Sequence, residues 1–287
     1  LACGLAVLQA AHASAIGAVI GISAVGAVIG IDVSSATVHN HDALTCLARC
    51  ITRRHTPPMA SDPLIDRWSS TRTRIASAAV RFGRAPESIA LLAISKGQPA
   101  SALGVIAAAG QRDFGENYVQ EALAKIAGLA DLQLTWHFTG QIQANKTRPI
   151  AEHFDWVHTV DRERIAVRLS EQRPEHAPLL NICLQVSLED EPGKAGAQPH
   201  ELAALASRVG TLPRLKLRGL MCLPPHRETF AEQLALFERM KTYFDDLNAQ
   251  GCELDTLSMG MSGDLDAAIA AGATLVRVGT AIFGART

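Results

Sequence analysis

An excess of either charge is missing from this sequence: 27 basic and 28 acidic side chains leave a formal net charge of −1 over 287 residues. That excludes a general nucleic-acid surface, which needs a clustered basic excess. Any pairing logic among the cysteines is missing too. Cys3, Cys46, Cys50, Cys183, Cys222 and Cys252 are scattered, and Cys183 and Cys222 lie inside apolar runs, as buried free thiols do. A reducing cytoplasm is the expected compartment. Leu1 to Ile31 carries no charged residue, and no methionine occurs before Met59.

The uncharged stretch is long and apolar enough to read as a membrane span. Its near-repeat GAVIG, at Gly17–Gly21 and Gly26–Gly30, spaces small residues as membrane helices do. Arg49, Arg53 and Arg54 would then hold the remainder on the cytoplasmic side. A secretory signal fits less well, because no basic segment precedes the apolar run. Met59, however, stands directly before a polar turn and a helix, so residues 1–58 are expected to be upstream sequence rather than an anchor, and 59–287 the folded domain. His39, His41, Cys46, Cys50 and His55 match no standard zinc-finger spacing.

What is present from Met59 onward is alternation. Asp62 and Pro63 open a helix that Gly83 stops. The apolar run from Ile89 reads as a strand buried on both faces; it stops at Lys96, and Pro99 opens the next helix. Further strands are expected at 111–117, 134–140, 155–160, 179–187, 215–223, 256–260 and 274–279. The intervening helices include one from Ile142 broken near Pro149, one capped by Asp161, and one over Gly263–Ala271. Eight strands alternating with helices over about 200 residues predict a closed (β/α)₈ TIM barrel. A doubly wound sheet explains less well why polar residues gather just after nearly every strand.

Those strand ends carry the chemistry. A lysine where a buried strand meets a loop sits beside low-dielectric surroundings, which lower its pKa and favour attack on a carbonyl. Alone, Lys96 reads equally well as a lysine reaching outward to a carboxylate. Ser258-Met-Gly-Met-Ser262 after the seventh strand and Arg277-Val-Gly-Thr280 at the eighth bring hydroxyls, glycines and a helix start to adjacent loops, as phosphate sites do. Arg277 lies in an apolar strand and needs a partner, either a carboxylate such as Glu116 or a ligand. Amine, phosphate cradle and inward arginine together suit pyridoxal phosphate.

The runs FGENYVQE (Phe114–Glu121), WHFTGQIQANK (Trp136–Lys146), LRGLMCLP (Leu217–Pro224), LSMGMSGDLDAAI (Leu257–Ile269) and VRVGTAIFG (Val276–Gly284) resemble the pyridoxal phosphate homeostasis proteins, single-barrel relatives of the alanine racemase N-terminal domain. The resemblance covers Leu64 to Arg286. It implies that Lys96 is the Schiff-base lysine, that Asn117 lies near the ring, and that Ser258, Ser262, Arg277, Gly279 and Thr280 surround the phosphate end. Gln98 stands where the family usually has a second lysine, and Ser187 where asparagine is common.

Two functions of different class follow. One is a carrier that buffers pyridoxal phosphate without turnover, as a cytoplasmic monomer or weak dimer, with cofactor-requiring apo-enzymes as recipients and neither nucleic acid nor membrane as partner. The other is a racemase-like enzyme. A two-base racemase needs a second group that the resemblance assigns to an additional β domain, which this sequence is not expected to supply. His137 and Tyr118 could serve as bases, yet such side chains at strand ends are more often packed or hydrogen-bonded. The carrier is the expectation.

Overall fold

Eight parallel strands alternate with helices and close into a barrel, β1 pairing with β8, in the computed structural model, which describes residues 62–189 and 195–284. The strands are β1 (Ala90–Ile94), β2 (Asp113–Glu116), β3 (Thr135–Phe138), β4 (Trp156–Val160), β5 (Leu180–Val186), β6 (Leu215–Cys222), β7 (Thr256–Ser258) and β8 (Leu275–Val278). The helices are α1 (Pro63–Arg81), α2 (Ala100–Ala108), α3 (Val119–Gly128), α4 (Thr147–His153), α5 (Glu163–Gln172), α6 (Leu202–Gly210), α7 (Phe230–Ala249), α8 (Leu265–Ala270) and the single turn α9 (Thr280–Phe283). The expected fold is therefore the observed one. The readings made on residues 1–58, span, start and zinc spacing alike, lie outside the described residues. No helix of the described residues is long and apolar enough to cross a membrane.

Local chemistry sets the boundaries. Asp62 caps α1 by accepting from the Leu64 N–H, with Pro63 in the first turn. Thr229 and Glu232 form a reciprocal capping box on α7. Three expected boundaries shift. Pro149 falls in the first turn of α4, where its missing N–H costs nothing, so it does not break a helix. Asp161 spends its carboxylate on the Arg162 side chain rather than capping α5. The helix after β7 is six residues long, because Asp264 turns back to accept from the Met261 N–H.

Apolar side chains fill the layer between sheet and helices, where Phe114, Phe138, Phe154 and Phe237 are fully buried. Each such burial stabilises by about 1.5–3 kcal/mol. The barrel interior is different in kind. His137 stacks on Trp156 with ring centroids 5.4 Å apart, Arg218 lies over Trp156 at 4.6 Å, and His158, Ser258 and Arg277 meet one another across the space. Barrels of this type usually fill their interior with branched aliphatic residues. Cys183 and Cys222 are buried free thiols, as expected, and burial pushes both up to about 12.

Candidate cofactor site

The strand ends on the C-terminal side surround a cavity of about 350 Å³. Lys96 enters it from the loop after β1, Asn117 from β2, Thr139 from β3, Met221 and Leu223 from the end of β6, and Ser262, Arg277, Gly279 and Thr280 from the last two strands and their loops. Six of the seven residues expected at the site thus line one cavity. Ser258 does not. Strand β7 runs through it, leaving it fully buried, with its hydroxyl shared between His158 and Arg277. Ser187 is also absent from the lining, whereas Gln98 belongs to it. His137 lies in the barrel interior and Tyr118 is exposed, so neither is placed to act as a base in this cavity.

Lys96 is half-buried, and the backbone on both sides of it is held by charged groups. Lys125 on α3, itself buried, donates to the Ser95 carbonyl at 2.7 Å and to Glu116 and Glu121 at 2.6 Å each. The Ser95 hydroxyl donates to Glu116 at 2.6 Å, and the Gly97 N–H donates to Glu121 at 2.5 Å. Glu116 is thus the partner of Lys125, not of Arg277. Burial raises its pKa, and Lys125 and Ser95 pull it back. This brace was not singled out from the sequence, although Glu121 and Lys125 stand four apart on one helix face, the spacing of a helical ion pair.

Arg277 takes backbone and hydroxyl partners in place of a carboxylate. Its Nη1 donates to the Ser258 carbonyl at 2.6 Å and the Ser258 hydroxyl at 2.9 Å, and its Nη2 donates to the Cys222 carbonyl at 2.7 Å. Burial lowers its pKa, yet a guanidinium keeps its proton in proteins, so a held cation faces the cavity. Asn117 is set by its neighbour strand: Thr139 donates to the Asn117 side-chain carbonyl at 2.9 Å, and a Cβ at Gly140 would stand 2.2 Å from the Asn117 backbone oxygen. Only glycine permits that approach. The loop carrying Ser262 is tied from outside by Arg74, which donates to the Ser262 carbonyl at 2.8 Å and pairs with Asp266 at 2.7 Å.

These groups fit a small, anionic, carbonyl-bearing ring. The cavity volume lies in the range of small-ligand sites. It offers one primary amine, one fixed guanidinium, the hydroxyls of Thr139, Ser262 and Thr280, and glycines at 263, 279 and 284 where backbone can approach an anion. A closed parallel barrel with an amine after its first strand and such loops after its last two defines a barrel of the alanine racemase N-terminal type.

The family model for the alanine racemase N-terminal domain matches residues 82–287. The pyridoxal phosphate homeostasis protein of Pseudomonas aeruginosa is 59% identical over 213 residues, covering 74% of this chain and 91% of that protein. That of Escherichia coli K12 is 52% identical over 221 residues, 76% of this chain and 94% of that one. PipY of Synechococcus elongatus, solved with pyridoxal phosphate bound, is 43% identical with a TM-score of 0.69, over 77% of this chain and 100% of that one. Alanine racemase of Corynebacterium glutamicum, at 16% identity and a TM-score of 0.55, shares the fold over 75% of this chain and 60% of that one. This chain belongs to the pyridoxal phosphate homeostasis protein family.

Proposed function

We propose that this protein binds pyridoxal phosphate and buffers or carries it through a reversible covalent link to Lys96, without catalytic turnover. The observation that carries the reading is the convergence of Lys96 and Arg277 on one cavity with Ser262, Gly279 and Thr280. When bound, the cofactor supplies an aldehyde to which an amine can add reversibly. Lys96 presents that amine from a loop held by Lys125, Glu116 and Glu121. Ser262 and Thr280 supply hydroxyl donors for the phosphate, and the glycines beside them admit it to the backbone. Arg277 offers a fixed cation deeper along β8 and Asn117 a polar edge beside it.

The absence of turnover is argued from proton inventory. Among the described residues lining the cavity, Lys96 and Arg277 are the ionisable side chains, and Arg277 does not release its proton. A cation facing the ring nitrogen would also disfavour its protonation and weaken the ring as an electron sink. Reduced, buried Cys183 and Cys222 accord with work in the cytoplasm. Recipient apo-enzymes and a monomeric or weakly dimeric state belong to the same proposal.

The test is spectroscopic. Protein mixed with pyridoxal phosphate is expected to show a visible band that borohydride fixes, with the added mass on the peptide containing Lys96. A panel of amino acids offered to the loaded protein is expected to give no sustained α-hydrogen exchange into solvent deuterium. Label on another lysine would overturn the attachment, and sustained exchange would move the protein among the enzymes.

A further inference from the structure

The barrel interior holds four polar side chains that the cavity does not use, linked end to end. Asp113, at the start of β2, lies 3.1 Å from Nε2 of His137 on β3. Nδ1 of His137 lies 2.9 Å from Nε2 of His158 on β4, and Nδ1 of His158 lies 2.9 Å from the Ser258 hydroxyl on β7. Ser258 is reached in turn by Nη1 of Arg277 at 2.9 Å. The line therefore begins at the N-terminal end of the barrel, where Asp113 borders a separate recess of about 410 Å³ with Trp68, Arg72 and Arg112, and ends at the cofactor cavity. His137, His158 and Ser258 are all buried.

We propose that Ser258, His158, His137 and Asp113 are positioning residues for Arg277, forming a one-way hydrogen-bond chain through the barrel that fixes how the guanidinium faces the cavity. The direction follows from the two ends. A carboxylate only accepts, and a guanidinium only donates; imidazole and hydroxyl can do either. With Asp113 ionised, His137 must donate from Nε2, which leaves its Nδ1 as an acceptor. His158 then donates from Nε2 and accepts at Nδ1 from the Ser258 hydroxyl. The single Ser258 proton is thereby committed, and only lone pairs of its oxygen face Arg277. The opposite polarity would turn a histidine lone pair against the Asp113 carboxylate and point two donors at Ser258.

Charge agrees with the geometry. Burial, then the neighbouring His137 and Arg277, hold the His158 pKa well below the usual imidazole range, so this link stays neutral. The charged or titratable groups nearby are Arg277 on β8, the thiols Cys183 on β5 and Cys222 on β6, and, across Trp156, Arg218 with Asp255. None of the hydrogen bonds joining the four side chains involves the cofactor. The chain is thus a property of the protein alone, and only its consequence for cofactor retention rests on the function proposed above.

That separation sets the experiment. In ¹⁵N-histidine-labelled full-length protein without cofactor, long-range ¹H–¹⁵N spectra at pH 7 are expected to show His137 and His158 neutral with the proton on Nε2. Asp113→Asn replaces the acceptor-only end by an amide that can accept or donate, and is expected to give His158 a mixture of tautomers. Ser258→Ala is expected to remove the donor to His158 Nδ1 and to weaken retention of pyridoxal phosphate about tenfold, one hydrogen bond to a charged group. Asp113→Asn, although outside the cavity, is expected to weaken retention more than twofold. A charged His158, an Nδ1-protonated His158 in the wild type, or unchanged retention in a folded Asp113→Asn protein would each overturn the proposal. Should a variant fail to fold, the wild-type tautomers still decide the direction of the chain. Failure of the wild type to take up any cofactor would count against the proposed function while leaving those tautomers as they are.

Discussion

Lys96 and Arg277 differ in what their loss should do. Lys96 is half-buried in a loop, so Lys96→Ala leaves no large void and should abolish the visible band while moving the thermal midpoint by no more than about 2 °C. Ser262→Ala with Thr280→Val tests the phosphate end: retention of pyridoxal phosphate should fall more than tenfold, at about 1.5–3 kcal/mol per lost bond to a charged group. Unphosphorylated pyridoxal should be affected far less; equal losses would show the phosphate to lie elsewhere. At this scale the sequence was informative wherever chemistry is rare, as with a lysine or arginine at the end of an apolar strand. Thr139, Met221 and Leu223 line the same cavity but are ordinary residues at strand ends, with nothing in their type to mark them. Ser258 was misplaced because SMGMS reads as one loop, whereas β7 extends through its first serine.

Between β1, β2 and α3 the ion group of Lys125, Glu116 and Glu121 behaves as one unit. Glu116 has no exposed side-chain surface, so Lys125→Met would strand a buried carboxylate and should cost about 3–5 kcal/mol. The pH dependence has a definite sign. Burial already raises the folded-state pKa of Glu116, and loss of Lys125 raises it further. A carboxyl whose pKa is higher folded than unfolded stabilises below its unfolded pKa and loses that contribution as pH rises through the folded value. The Lys125→Met protein should therefore melt higher at pH 5 than at pH 8, with a steeper fall across that interval than wild type; a flat profile would show that Glu116 is not the group left unpaired. Strand and helix order was legible because apolar runs and Gly or Pro punctuation alternate so regularly. The polar barrel interior was not, since the meeting of His137 with His158 depends on strand register and on the irregularity in β4 between Val157 and Val160.

For the molecule as a whole, every strand lies within 90–278 and the family match within 82–287. A chain shortened to begin at Met59 is thus expected to keep its circular dichroism and its retention of the cofactor; loss of either would show that residues 1–58 take part in folding or binding. Closure of the barrel is made by β1 against β8, with Leu92 opposite Arg277 and Ala93 opposite Val278. The lysine therefore sits on the first strand and the guanidinium on the last. A ribosome making this protein releases Lys96 early and Arg277 almost at the end, so a nascent chain owns the reactive amine long before it owns the pocket. Until the final strand emerges and the sheet shuts, that amine has no cradle beside it, and tight capture of the vitamin-derived aldehyde becomes a mark of completed synthesis.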